Sequence, residues 1–340
     1  MKAVRFHEHG PVDVLRYEDA PDPLPGPRDA LVRVRACALN HLDLWERRGL
    51  ERVTLPLPHI SGSDVAGEVV SSTAPAVTPG TRVMVQPGLS CGTCAECLAG
   101  MDNRCASYDV LGYRSDGGYA ELVKVPAVNL IPIPDHVSFV EAAAFPLTFL
   151  TAWHMLLGVA KVTPGETVLV LAAGSGVGQA AIQIAKVAGA NVLATVGSPA
   201  KLERARALGA SAVIDHKRQD VAKEVKNLTA GRGVDVVIEH VGEATWEGSV
   251  RSLARGGRLV TCGATTGPRV AMDLRVLFAR QISLCGSYMG IKRELHQAAA
   301  LFFEGRLRPA RDEVFPLARA ADAQRRLEQG LHFGKIVLEV

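Results

Sequence analysis

TVLVLAAGSGVGQAAIQIAKVAGA, residues 167–190, changes its hydrophobic period halfway along. Val168 to Leu171 is a continuous apolar run, as in a strand buried on both faces. From Gln179 onward the apolar residues recur at helical spacing and stop at Gly189. Between the two lies AAGSGVG, Ala172 to Gly178, a glycine turn carrying a strand into a helix. Bare backbone N–H groups and the helix dipole at such a turn favour a pyrophosphate. The spacing departs from strict GxGxxG, since the chain reads G-S-G-V-G-Q from Gly174. Context therefore has to carry the nucleotide reading.

That context is a repeating cycle. NVLATV, SAVID, VDVVIE, RLVTCGA and ISLCGS follow as five further short strands, separated by helical stretches such as PAKLERARALG and ATWEGSVRSLARGG. Strands alternating with helices predict an α/β fold with a parallel, doubly wound sheet, placed here at residues 132–287. The preceding half reads differently. LVRVRACAL alternates apolar and charged residues, AGEVV and TRVMV follow, and PLPGP and TPGTR punctuate them. Residues 1–131 are thus expected to form a β-rich domain, which the tail 288–340, closing in KIVLEV, rejoins.

With 340 residues and a net charge of +3, without a run of Lys or Arg, the chain gives no sign of a nucleic-acid partner. MKAVRFHEHG lacks the apolar core of a signal peptide, and no stretch approaches eighteen apolar residues. A cytoplasmic protein without a membrane partner is expected, acting on a small molecule. In a reducing compartment clustered cysteines are more often metal ligands than disulfides. Cys91-x2-Cys94-x2-Cys97-x7-Cys105, in a lobe spanning 88–108, supplies four thiolates and no open position, which describes a closed zinc site. A four-iron cluster is the rival, but its usual run has three residues before a last cysteine followed by proline, not seven followed by Ala106.

Cofactor choice is read about twenty residues past the turn, where NAD sites place an acid for the ribose 2′-hydroxyl. The chain has Gly197, Ser198 and Lys201 there, and His216 and Lys217 after the next strand. A hydroxyl and cations suit a 2′-phosphate, so NADPH is expected.

The cysteine spacing, GYAE at Gly118 to Glu121, and a β-rich domain before a nucleotide fold together resemble the zinc-type medium-chain dehydrogenase/reductases. The resemblance implies a GroES-like catalytic domain beside the Rossmann domain, and a homodimer or homotetramer paired through the edge strand ISLCGSY. It implies cofactor contacts at Gly174, Ser175, Gly176 and Val177 of the turn, at Thr151, Gly242, Cys262 and Gly263, and at Lys335 of FGKIVL. Alcohol dehydrogenases of the superfamily hold a second, catalytic zinc on a Cys-x-x-Asp segment, a Gly-His-Glu segment and a later Cys. Here those places read Asn40 with Asp43, Ser63 with Asp64, and Leu147. His41, His59, Asp64 and His154 are the residues from which a metal site would have to be rebuilt, the alternative being a zinc-dependent alcohol dehydrogenase.

N-x-x-D followed by G-x-D-x-A-G resembles the quinone oxidoreductase and acryloyl-CoA reductase-like branch, which works without a catalytic zinc. Hydride added to the far carbon of a C=C–C=O system spreads charge into an enolate, which hydrogen-bond donors stabilise without a metal. The expected activity is NADPH-dependent reduction of a quinone, enone or enoyl thioester. Asn40 would donate to the substrate oxygen and Asp43 would organise the pocket. Arg47, Arg48 and Arg52 would meet solvent or a CoA phosphate.

Overall fold

The computed structural model describes residues 1–50, 53–74 and 77–340. They fall into two compact units, Met1–Leu147 with Ile291–Val340, and Thr148–Gly290. The division comes later in the chain than the expected 131/132. The reason is the helix Phe139–Ala143, whose Ser138 cap accepts from the Glu141 N–H and which packs on strands of the first unit.

The first unit is built on β1 (Asp29–Ala38), β2 (Asp64–Ser72), β3 (Arg82–Val85), β4 (Leu122–Pro126) and β5 (Leu130–Pro132). The alternation in LVRVRACAL is realised in β1: Ala30, Val32, Val34 and Ala36 are buried while Arg33 and Arg35 face solvent. Helix α1 (His41–Arg48) follows β1 directly.

The second unit holds the six expected strands, β6 (Thr167–Val170), β7 (Asn191–Val196), β8 (Ala212–Asp215), β9 (Val234–Glu239), β10 (Leu253–Thr261) and β11 (Ser283–Gly286). They pair in the order β8-β7-β6-β9-β10-β11, all parallel. This is the doubly wound arrangement whose order reverses beside β6. One helix ends earlier than its sequence pattern suggests. Helix Glu243–Ser252 gives way to β10 at Leu253, because Leu253 pairs with Val234 and the glycines at 256 and 257 lie within the register shift that separates this pair from Val236 and Arg258.

The chain then returns to the first unit with β12 (Arg311–Pro316) and β13 (Lys335–Glu339), between which lies helix α2 (Ala320–Glu328). The completed sheet runs β12-β13-β1-β2-β3-β5, with β4 also on β1. Its core is made of small and branched residues such as Val32, Val34, Val65, Val83 and Leu338.

Candidate functional site

Two antiparallel registers set the site. β1 pairs Ala38 with Asp64 of β2 on one side and with Val337 of β13 on the other. Two residues past Ala38 stands Asn40, and two residues before Val337 stands Lys335, so the three side chains meet at one end of the sheet. Lys335 Nζ donates to Asn40 Oδ1 at 2.6 Å and to Asp64 Oδ2 at 2.9 Å. Asn40 Nδ2 donates to the same Asp64 oxygen at 2.9 Å, and the Leu147 N–H donates to Asp64 Oδ1 at 2.7 Å. Lys335 and Asp64 are 2% and 0% exposed in their side chains. A charge pair this deep persists only when its remaining polar positions are satisfied, and the carboxylate has three donors.

Asn40 has a second task. Its N–H donates to Asp43 Oδ2 at 2.9 Å, fastening the start of α1. The same oxygen accepts the Tyr119 hydroxyl at 2.7 Å. Burial raises the Asp43 carboxyl to about 6, and Asp64 pushes the same way, against the Asn40 and Tyr119 hydrogen bonds and the Lys335 charge. Tyr119 belongs to GYAE, and the motif's glycine has a packing reason. A Cβ on Gly118 would lie 2.3 Å from Val65 and 2.9 Å from Cys37 Sγ. Glu46, one turn beyond Asp43 on α1, is fully buried, and burial with the Asp43 charge pushes its carboxyl well up. Sequence reasoning passed over Glu46; its spacing of three from Asp43 on a short helix was the available signal.

No second metal centre assembles from the proposed rebuilding residues. Among the described residues, only Cys91, Cys94, Cys97 and Cys105 bring three or more His, Cys, Asp or Glu ligand atoms together. His59 is bound to the Gly112 carbonyl through Nε2 at 2.8 Å. His41 lies edge-on to Trp45, and His154 begins a π-helical turn in the second unit. Asp64 is engaged by Lys335. An ammonium fixed against that carboxylate repels a divalent cation, and Leu147 offers no donor side chain.

The cysteine lobe fits a metal. The four sulfur atoms lie within 4.8 Å of one another, with Cys91 and Cys97 3.9 Å apart. Zinc–sulfur bonds of about 2.3 Å put tetrahedral sulfurs about 3.8 Å apart. The N–H groups of Thr93 and Cys94 point at Cys91 Sγ from 3.4 and 3.3 Å, a pattern that stabilises a thiolate. Gly92, at φ +74°, makes that turn, and the paired strands Gly88–Leu89 and Asp109–Val110 close the lobe.

In the second unit Ser175 caps the helix Gly176–Val187, its Oγ accepting from the Gly178 N–H at 2.9 Å, and it also lies 3.0 Å from His240 Nε2. A Cβ on Gly178 would stand 2.2 Å from the Ala172 carbonyl oxygen, so this glycine lets the helix close onto the strand. Gly174, Gly176 and Val177 lie in the same turn. Gly242 caps the helix Glu243–Ser252 at φ +95° beside Gly267. Cys262 donates its N–H to the Glu239 carbonyl; burial and the Glu239 charge push its thiol up to about 12, so it stays neutral. Gly263 follows it, and its Cβ position faces the His240 carbonyl at 3.2 Å. Thr151 is buried, with Oγ1 3.9 Å from Met289 Sδ. At the end of β7 the His216 ring lies 3.0 Å from where a Gly197 Cβ would be, with Lys217 Cε at 3.6 Å. Ser198 and Lys201 bracket a 3-10 turn there, the Lys201 N–H donating to the Ser198 carbonyl. β7 closes in Val196 and runs on into Gly197 and Ser198 rather than an acid, and Asp215 of β8 stands across from Val196.

Arg47 departs from expectation. It is fully buried, donating to Gln324 Oε1 at 2.7 Å and to the Gly10 carbonyl at 2.9 Å, and pairing with Glu328 of α2. It ties α1 to α2 and is open to neither solvent nor phosphate. Arg48 is half exposed and shares Glu328, while Arg52 lies outside the described residues. No helix among the described residues is long and apolar enough to cross a membrane.

The family model described as the alcohol dehydrogenase GroES-like domain matches residues 26–135, and that described as zinc-binding dehydrogenase matches 176–304. A quinone oxidoreductase of Pseudomonas aeruginosa is 34% identical over 99% of both chains. A crotonyl-CoA reductase of Streptomyces collinus is 31% identical over 95% of this chain and 80% of its own. A crystal structure of an NAD-dependent alcohol dehydrogenase superposes with a TM-score of 0.97 at 47% identity, covering all of both chains.

Proposed function

This chain belongs to the zinc-type medium-chain dehydrogenase/reductase superfamily, and from that premise we propose that it is an NADPH-dependent reductase of conjugated carbonyl acceptors. The acceptor class is a quinone, an enone or an enoyl thioester. The observation that carries the reading is the Asn40–Asp64–Lys335 cluster, which puts a fixed cation and hydrogen-bond donors where the resemblance sets a catalytic metal. Such donors suffice for an enolate oxygen, whereas a simple alkoxide calls for a Lewis acid. Relatives named quinone oxidoreductase and crotonyl-CoA reductase agree with it.

The glycine turn Gly174–Val177, with Gly242, Cys262, Gly263 and Thr151, holds the dinucleotide, and bound NADPH supplies hydride. Ser198, Lys201 and His216 receive the 2′-phosphate. Asn40 and Asp43 shape the acceptor pocket. One zinc sits on Cys91, Cys94, Cys97 and Cys105 as a staple, since four thiolates leave no position for substrate. The subunits associate through β11. Leu284 on this edge strand and Phe278 and Leu274 on the helix Leu274–Ala279 are exposed apolar side chains of one continuous segment.

The likeness to an NAD-dependent alcohol dehydrogenase favours a second reading, oxidation of a simple alcohol with NAD. Steady-state assays separate the two: NADPH and NADH against 1,2-naphthoquinone, crotonyl-CoA and acryloyl-CoA, and NAD and NADP against simple alcohols. Metal analysis accompanies them. One zinc per chain and NADPH turnover on a conjugated carbonyl are expected. Two zincs per chain with alcohol oxidation overturn the proposal.

A further inference from the structure

Lys335 has three N–H donors and only two acceptors among the described residues, Asn40 Oδ1 and Asp64 Oδ2. Both amide hydrogens of Asn40 are directed elsewhere, one to Asp64 and one to the Ala38 carbonyl at 3.5 Å. Asp64 in turn is held by Leu147, Asn40 and Lys335. The ammonium is therefore fixed by two side chains, each itself fixed, and it retains one donor. We propose that Lys335 is a catalytic residue, whose third N–H donates to the carbonyl oxygen of the acceptor as negative charge develops there. This rests on the conjugated-carbonyl reading above and assigns the donor within it, moving that role from Asn40 to Lys335.

The chemistry balances with the proposed reactants alone. The acceptor gains a C–H bond at its far carbon from hydride. The C=C pair shifts toward the carbonyl, and the oxygen, now an enolate, is held by Lys335. A water reached as the product leaves then gives a proton, to the near carbon of an enone or enoyl thioester or to oxygen of a quinone, and becomes hydroxide; the acceptor is reduced by two electrons and the dinucleotide oxidised by two. Lys335 need not release its proton. The Asp64 carboxylate fixes it in place, and burial excludes the water that would otherwise screen it.

Removing Lys335 alone strands a buried carboxylate, which is strongly destabilising, whereas removing both charges is far milder. The test therefore compares Lys335→Met with the double variant Lys335→Met/Asp64→Asn, using the zinc-loaded protein and whichever of 1,2-naphthoquinone or crotonyl-CoA the wild type reduces. Zinc content and circular dichroism report folding, and fluorescence titration reports NADPH affinity. The expected result is a kcat lower by about 100-fold or more in the double variant, the usual effect of one oxyanion donor, with NADPH affinity within about threefold. The infrared C=O stretch of the bound acceptor should also lie at lower frequency in the wild type than in the double variant. A double variant with wild-type kcat and an unmoved C=O stretch overturns the assignment, as does a loss confined to NADPH affinity. A wild type that reduces no conjugated carbonyl overturns the functional reading before any variant is made, so the two failures are distinct.

Discussion

Tyr119 donates its hydroxyl to Asp43 Oδ2 across 2.7 Å, although 76 residues separate them, and both side chains are wholly buried. The bond is strongest when Asp43 is ionised, which links the acid to pH. Asp43 titrates near 6 in the fold against an ordinary 3.8. Between those values the folded state binds a proton that the unfolded state has lost, so stability falls as pH rises through the window. Asp43→Asn should flatten this slope, on the order of 2 kcal/mol between pH 4 and pH 7. Lys335, Asp64, Tyr119, Glu46 and Cys37 surround the group and remain in the variant. Urea unfolding at several pH values checks it; equal slopes in wild type and variant refute the assignment. Tyr119→Phe should cost about 1–3 kcal/mol at pH 8 and less at pH 5, because a neutral carboxyl gains less from the donor.

The zinc lobe should behave as a staple. Cys97→Ser is expected to lose the metal and roughly 3 kcal/mol or more of stability. For a unit of about 200 residues, that lowers the unfolding midpoint by about 6–12 °C. Calorimetry with metal analysis measures both, and activity at low temperature, per folded molecule, should survive. Complete loss of turnover in a folded, zinc-free variant would contradict a purely structural role.

Cofactor choice should turn on the end of β7. Lys201→Ala is expected to weaken kcat/KM for NADPH by roughly tenfold and leave NADH nearly unchanged, as loss of one charge-assisted contact implies. Ser198→Asp should add repulsion and move the preference toward NADH. Equal effects on the two cofactors would remove the 2′-phosphate from this position.

Association through β11 predicts that Leu284→Arg lowers the sedimentation coefficient to that of a monomer, with folding intact by circular dichroism. An unchanged oligomer would place the interface elsewhere.

What the amino-acid order determines by itself here is local. The change of period within 167–190, the strand–helix cycle after it and the alternation in β1 follow from short-range hydrophobic spacing, and six strands appear where that spacing puts them. The four cysteines are equally local, since fifteen residues contain the whole ligand set and its glycine turn. The partners of Lys335 have no such signal: the resemblance sets this residue of FGKIVL beside the cofactor, and only antiparallel pairing of β13 with β1 brings it to Asn40, 295 positions away. Arg47 likewise reads as a charge meeting solvent or a phosphate until α2 covers it. Burial is a property of what packs over a side chain, and for these residues the covering elements come from the far end of the chain. Spacing therefore fixes elements and compact ligand sets, while the partners of a buried charge exist only once distant strands have found their register.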